Sequence, residues 1–255
     1  MKTTITCMQC LREYNLPGPL YINEIPDNGI FHLYCDKGHE TNTIIQQHKF
    51  ELLFDFGISA LCDGYYREAV VNFAAALERF YEFYISFVIT KRNIDFNQFQ
   101  NYWKQFTNSS ERQYGAYVFL YLLEHPNAEQ PFINDKRPKP GMKKWIEFRN
   151  DVVHKGHFAS ENDAYLYGEL VYNFLKEQVN ELLINDLSFV HKTVSNYLST
   201  LHQNINKQET TASVSTLCLP TIISLSSQIN NKTFLDAYND FKNNPLRNMI
   251  NNGIF

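Results

Sequence analysis

Residues 66–90 read YREAVVNFAAALERFYEFYISFVIT, and the spacing of their apolar positions decides the fold. Val70, Leu77, Tyr81, Tyr84 and Val88 follow steps of helical period, with Phe73, Phe80 and Phe87 beside them. That is the signature of one broad apolar helix face. A face this wide needs other helices to cover it, so the surrounding chain is expected to be helical too.

Working outward, helical period begins near Phe50. Leu52, Leu53, Phe56 and Ala60 outline an apolar face, and Asp63-Gly64 ends it. Further helices are expected over residues 97–106, 112–124, 142–154, 162–184, 187–202 and 233–243. Between 125 and 141, Pro126, Pro131, Pro138 and Pro140 rule out a continuous helix. A loop of that length is often functional. Gly156 stands where a helix-ending glycine belongs. Residues 204–218, rich in Asn, Thr and Ser, read as a linker.

Residues 1–48 differ in kind. Stretches 3–6, 20–25 and 29–34 are strand-like, and Asn28-Gly29 between two of them is a hairpin signal. So small a segment lacks a sufficient core and needs a staple. Cys7 and Cys10 form Cys-x2-Cys, and Cys35 and His39 form Cys-x3-His, with 24 residues between the pairs. Two short chelating pairs on opposing turns supply the four N/S ligands of a structural Zn²⁺ site. His32 and His48 are substitutes for His39, but neither sits in a short chelating loop. With four protein ligands the metal has no open position, so its role is structural. The pattern resembles the zinc ribbons. Cys62 and Cys218 read as lone buried or inert thiols.

Composition bounds the rest. The chain has 255 residues, 44% of them hydrophobic, which suits an ordinary globular protein of one or two domains. Its 20 Phe and 16 Tyr read first as core. Five cysteines, unevenly spaced, argue against a secreted disulfide framework. Without an apolar leader or a stretch long enough to span a bilayer, a reducing cytoplasm and no membrane partner are expected. Net charge is −4, which opposes a protein coated in basic charge for duplex binding. Residues 135–157 nevertheless carry +4, from Lys136, Arg137, Lys139, Lys143, Lys144, Arg149 and Lys155 against Asp135, Glu147 and Asp151. A local positive patch on an acidic body suits a small phosphate site; a solvated loop and helix end explains the charge equally well.

Within that patch lies Arg149-Asn150-Asp151-Val152-Val153-His154. Trp145, Phe148 and Val152 share the core-facing side, and Lys143, Glu147, Asn150 and His154 form a polar stripe. Arg149 and His154 stand about 140° apart on a regular helix, so they converge only through a long reach, a distorted helix end or a second chain.

Arg149-Asn150-x3-His154 resembles the R-x4–6-H signature of the HEPN domains, with a polar residue directly after the arginine. Tyr65-Tyr66-Arg67-Glu68-Ala69-Val70 and Ala75-Ala76-Leu77-Glu78-Arg79-Phe80-Tyr81-Glu82 look like the first long helices of such domains. The resemblance covers about residues 50–200. It implies a mainly α fold, a HEPN-like helical bundle at 49–203, preceded by the small β zinc ribbon at 1–48 and followed by a linker and helical tail at 204–255. It also implies a ribonuclease that needs no metal for catalysis and works as a homodimer, bringing two motifs into one cleft. His154 would take the 2′-OH proton of RNA or protonate the 5′ leaving oxygen. Arg149 would stabilise the charged transition state, and Asn150 would orient His154 or bind the phosphate. A toxin or antiphage defence effector held in check by an inhibitor or antitoxin fits that family.

Each residue also has a plainer use. His154 serves as a cation at a helix C-terminus. Arg149 pairs with Glu147, Asp151 or an acid elsewhere. Glu78 faces the site from the long helix or, the better reading, lies on a solvated face, and His157 supports the site or, more simply, is exposed. The whole chain then becomes a non-catalytic RNA- or nucleotide-binding module, or an adaptor for protein contacts.

Overall fold

A computed structural model describes residues 2–15, 18–105, 109–127, 144–206, 212–226, 229–245 and 247. The described chain is mainly helical with a small β region. It divides into two compact units. One holds the described residues of Met1–Gln47, Val194–Pro220 and Asp240–Phe255, and the other those of His48–Thr193 and Thr221–Asn239. The expected tail at 204–255 is therefore not a separate piece; its parts belong to both units.

The first unit contains β1 (Lys2–Thr6), α1 (Met8–Tyr14), β2 (Leu20–Glu24), β3 (Ile30–Tyr34), β4 (Glu40–Ile45) and β5 (Ser213–Leu217). β1 pairs antiparallel with β2, setting Lys2 opposite Glu24 and Thr6 opposite Leu20. β3 pairs antiparallel with β4, and β4 pairs parallel with β5. The Asn28-Gly29 turn forms, with Gly29 at φ +70° and its N–H on the Pro26 carbonyl at 3.0 Å. It does not close a hairpin, because β2 and β3 lie in different sheets. A positive φ fixes the turn and not the strands that pair across it. The hairpin is instead β3–β4, closed around Cys35 and His39.

β4 escapes the alternation test because most of it is buried on both faces. β5 replaces part of the expected linker. Its Ser and Thr residues are strand-compatible once placed beside a central strand, and Ser215 Oγ meets Thr43 Oγ1 at 3.0 Å. Ile30, Ile44 and Ile205 form the apolar centre of this unit, covered by Leu198, Leu201 and Val214.

The second unit is built from α2 (Lys49–Cys62), α3 (Tyr66–Lys91), α4 (Phe96–Trp103), α5 (Ser110–Glu124), α6 (Trp145–His154) and α7 (Glu161–Asn185), with parts of α8 (Leu187–Asn206) and α9 (Phe234–Lys242). α3 is its axis. All eight apolar positions that define its face in the sequence are buried. Phe73 meets Phe54 of α2 at 5.2 Å between ring centroids, Tyr81 stacks on Tyr117 of α5 at 4.7 Å, and Phe80 meets Phe174 of α7 at 6.0 Å. Trp103 of α4 donates to Glu82 at 2.8 Å.

The buried stripe of α2 is Phe50, Phe54, Ile58 and Leu61, not Leu52, Leu53, Phe56 and Ala60, which are half-buried. Two acids explain the difference. Glu51 and Asp55 lie on the buried side and accept backbone N–H groups of Leu225 (3.0 Å) and Ile222 (3.1 Å). A polarity pattern assigns such residues to water.

Of the two thiols read as buried or inert, Cys62 is half-buried and Cys218 exposed. Residues 128–143, with most of the proline-rich loop and Lys136, Arg137, Lys139 and Lys143, lie outside the described residues. Among the described residues, no helix is long and apolar enough to cross a membrane.

Candidate functional site

The two constellations singled out in the sequence fall one in each unit. In the first unit, Cys7, Cys10, Cys35 and His39 bring their ligand atoms within 4.8 Å of one another, with the three cysteines buried. Cys7 caps α1, and Cys10 lies in its first turn, so the first chelating pair sits on a helix and not on a turn. The second pair sits on the β3–β4 connection, where the Cys35 N–H bonds the His39 carbonyl at 3.0 Å and Gly38 adopts φ +82°.

The spacing matches a tetrahedral ion. Ligands at Zn–S and Zn–N bond lengths stand about 3.8 Å (S–S) and about 3.6 Å (S–N) apart. Cys10 Sγ and Cys35 Sγ are 3.8 Å apart, and His39 Nδ1 lies 3.6 Å from Cys7 Sγ and 3.3 Å from Cys10 Sγ. The donor set is the one soft divalent metals take. Burial pushes the Cys10 thiol up to about 12. At Cys35, burial acts the same way but is outweighed by backbone hydrogen bonds from His39 and Lys37, which bring it down to about 7.

His39 presents Nδ1 to the sulfurs and Nε2 to Glu13 Oε2 at 3.0 Å. A carboxylate on the far nitrogen of a ligating imidazole fixes its tautomer and orientation. Glu13 went unread because the first knuckle was taken as a turn. On a helix, Glu13 comes three residues after Cys10 and so shares its side. His32 is exposed on β3, and His48 belongs to the other unit.

The second constellation occupies α6. Trp145, Phe148 and Val152 are buried, as their spacing predicts, and they anchor the helix. Arg149 is half-buried. One guanidinium nitrogen pairs with Glu78 of α3, and Nη1 donates to Asn150 Oδ1 at 2.9 Å. Glu78 is therefore a partner of the motif arginine and not part of a solvated face. Asn150 is turned toward Arg149 and makes no hydrogen bond to His154. Tyr81 and Tyr167 lie close enough to feel both charges. Burial pushes each phenol well above its usual range, and the Arg149 guanidinium pulls the other way.

His154 is the last residue of α6 and is exposed, with no hydrogen bond or ion pair to another described residue. Behind it the helix closes tightly. Lys155 N–H and His157 N–H both reach the Asp151 carbonyl at 3.1 Å, Gly156 takes φ +69°, and Lys155 Nζ pairs with the Asp151 carboxylate at 2.8 Å. His157 is exposed, with its ring edge toward Phe148. Arg149 and Asn150 are thus brought together, while His154 projects separately from the helix end. Comparison with protein-family models, curated proteins and solved structures finds no match to this chain.

Proposed function

We propose that the chain is an endoribonuclease that cuts RNA without a catalytic metal, using Arg149, Asn150 and His154, and that its first unit is clipped by a structural zinc ion. One observation carries the nuclease reading. An exposed imidazole that has no hydrogen-bond partner among the described residues ends the helix in which a half-buried guanidinium is held by Glu78 and Asn150.

The chemistry is an in-line transfer. The ribose 2′ oxygen attacks phosphorus and loses its proton to a base. The bond from phosphorus to the 5′ oxygen breaks, and that oxygen gains a proton. The products are a 2′,3′-cyclic phosphate and a 5′-hydroxyl. His154 supplies an imidazole, a group that can take or give a proton, for one of the two proton transfers. One imidazole cannot do both at once, so a second copy of the chain supplies the other. Arg149 places a fixed charge on the phosphoryl oxygens, and Asn150 sets its plane. Zinc at Cys7, Cys10, Cys35 and His39 would tie the start of α1 to the β3–β4 connection within the first unit.

The test is cleavage of single-stranded RNA without added divalent ions, with analysis of product ends. Arg149→Ala and His154→Ala are each expected to abolish cutting while leaving the fold intact. Wild-type protein that cuts nothing in a broad RNA panel overturns the proposal.

The ion pair with Glu78 favours a second reading, in which Arg149 clasps α6 to α3 and the chain binds RNA or protein without cutting. That reading expects wild-type protein to bind RNA or protein without cutting, and His154→Ala to leave that binding unchanged.

A further inference from the structure

Next to the end of α6 lies a recess of about 200 Å³ lined by Gly64, Tyr65, Tyr66, Arg67, Glu68, Phe158 and Ala159. Two of its walls are exposed rings. The second unit buries most of its rings in the core, yet Phe158 is 85% and Tyr65 63% exposed, and neither ring stacks on another described ring. A Phe this open forfeits the burial that normally stabilises it. The frame behind the two rings is held firmly. The Tyr66 hydroxyl donates to Glu161 at 3.2 Å, and Ser160 caps α7 through the Asp163 N–H at 3.1 Å.

We propose that this recess is a base-binding subsite for single-stranded RNA. Its size is below the range of drug-sized ligand pockets, roughly 300–1,000 Å³, and suits a single base ring. Exposed Phe and Tyr faces are the platforms on which unpaired bases stack. Arg67 adds a cation at the rim. Its contact to Glu68 is a loose 3.7 Å, so the guanidinium remains able to approach a phosphate or a base edge. The Glu68 carboxylate offers an acceptor to a base N–H beside it. A duplex hides its base faces and cannot use such a site.

Position ties the recess to the cleavage reading. Phe158 comes four residues after His154, so their Cα atoms are at most about 14 Å apart. A base held on Phe158 therefore belongs to a nucleotide within a step or two of a phosphate held at His154. The proposal rests on the nuclease reading for that placement alone, and the stacking function stands without it.

The experiment measures binding of a fluorescent single-stranded oligonucleotide, fully 2′-O-methylated so that no attacking hydroxyl is present, and of its matched duplex, to the full chain. Phe158→Ala is expected to weaken single-strand binding at least about five-fold and to leave duplex binding unchanged. Phe158→Tyr should retain the affinity, and Tyr65→Ala should act in the same direction as Phe158→Ala. Both aromatic positions are exposed, so thermal unfolding of the variants should match wild type. Unchanged single-strand affinity in Phe158→Ala, an equal loss on the duplex, or wild-type protein with no affinity for the single strand each overturns the proposal. Loss of binding in Phe158→Ala combined with a wild type that never cuts natural RNA removes the nuclease reading and keeps the subsite. Normal cutting with unaltered binding in Phe158→Ala does the reverse.

Discussion

Glu78 on α3 holds the guanidinium of Arg149 on α6, and the two side chains are only 25% and 20% exposed. The pair lies between two known regimes. Exposed ion pairs contribute about 0–1 kcal/mol, while breaking a fully buried one costs about 3–5 kcal/mol because a charge is left stranded. Glu78→Ala and Arg149→Ala are each expected to lower unfolding stability by about 1–3 kcal/mol, and the double variant by less than the sum. His154→Ala removes an exposed ring that has no partner among the described residues, and it should stay within about 0.5 kcal/mol of wild type. Urea denaturation of the four proteins checks this. Strictly additive losses at Glu78 and Arg149 would mean the pair contributes nothing.

A second prediction concerns the closest helix packing. Phe73 of α3 is fully buried between Gly57 of α2 and Gly168 of α7. A Cβ at Gly57 would stand 2.5 Å from the Phe73 ring, and one at Gly168 2.6 Å from it. Alanine would gain about 1 kcal/mol in helix propensity over glycine, but overpacking costs about 1–3 kcal/mol. With a rigid ring on one side and helix backbone on the other, the steric cost wins. Gly57→Ala and Gly168→Ala should both lower the melting temperature, and Phe73→Leu introduced beside either should recover part of the loss. A Gly57→Ala protein more stable than wild type would show that α2 and α3 can separate freely.

How far such features were legible depends on what kind of residue carries them. α3 was readable because its face is built from apolar residues at helical period, and nothing polar interrupts that face. The metal ligands were readable because chelation needs short local spacings. Glu13 was not, since its side of the chain is defined only once Cys7 is seen to start a helix. Glu78 is 71 residues from Arg149, and no local pattern links an acid to a cation at that distance. β5 is polar and pairs with a strand far earlier in the chain, so composition assigned it to a linker. Glu51 and Asp55 were invisible for a related reason: a buried carboxylate satisfied by backbone N–H groups looks in sequence like a solvated one.

Those two carboxylates carry a third prediction. Glu51 accepts N–H groups of His48 (2.7 Å) and Leu225 (3.0 Å), and Asp55 that of Ile222. Burial pushes Glu51 up to about 7 and Asp55 up to about 8, the latter helped by the Glu51 charge one turn away. Among the described residues neither acid is in an ion pair. His48, whose backbone N–H bonds Glu51, is itself held down to about 3 by burial and stays neutral. For a raised carboxyl, the native state holds the proton more tightly than the unfolded chain. Its contribution is full below about pH 4 and is lost as pH rises through the folded value. His48 acts oppositely, but only below its ordinary range near 6.5. The second unit should therefore lose stability between about pH 6.5 and 8, on the order of a few kcal/mol. Asp55→Asn should flatten that slope. Denaturation midpoints that stay level across this window in wild type would contradict the burial of both acids.

The fourth prediction separates a metal site from three thiols that merely pack together. If His39 ligates through Nδ1, Glu13 acts only by orienting the ring from Nε2. Glu13→Gln removes no ligand, yet outer-shell substitutions of this kind cost about 10–100-fold in metal affinity. His39→Ala should cost more, and Cys35→Ser should leave the first unit unfolded, because metal binding there is also folding free energy. Purified protein is expected to carry about one zinc per chain. Chelator competition would then rank wild type above Glu13→Gln above His39→Ala, and cobalt substitution would give the absorption of a tetrahedral thiolate site. Equal affinity in wild type and Glu13→Gln would show that the carboxylate only decorates the histidine. Metal-free protein that keeps its first unit folded would mean that Cys7, Cys10 and Cys35, all buried, stabilise the unit as a small apolar core.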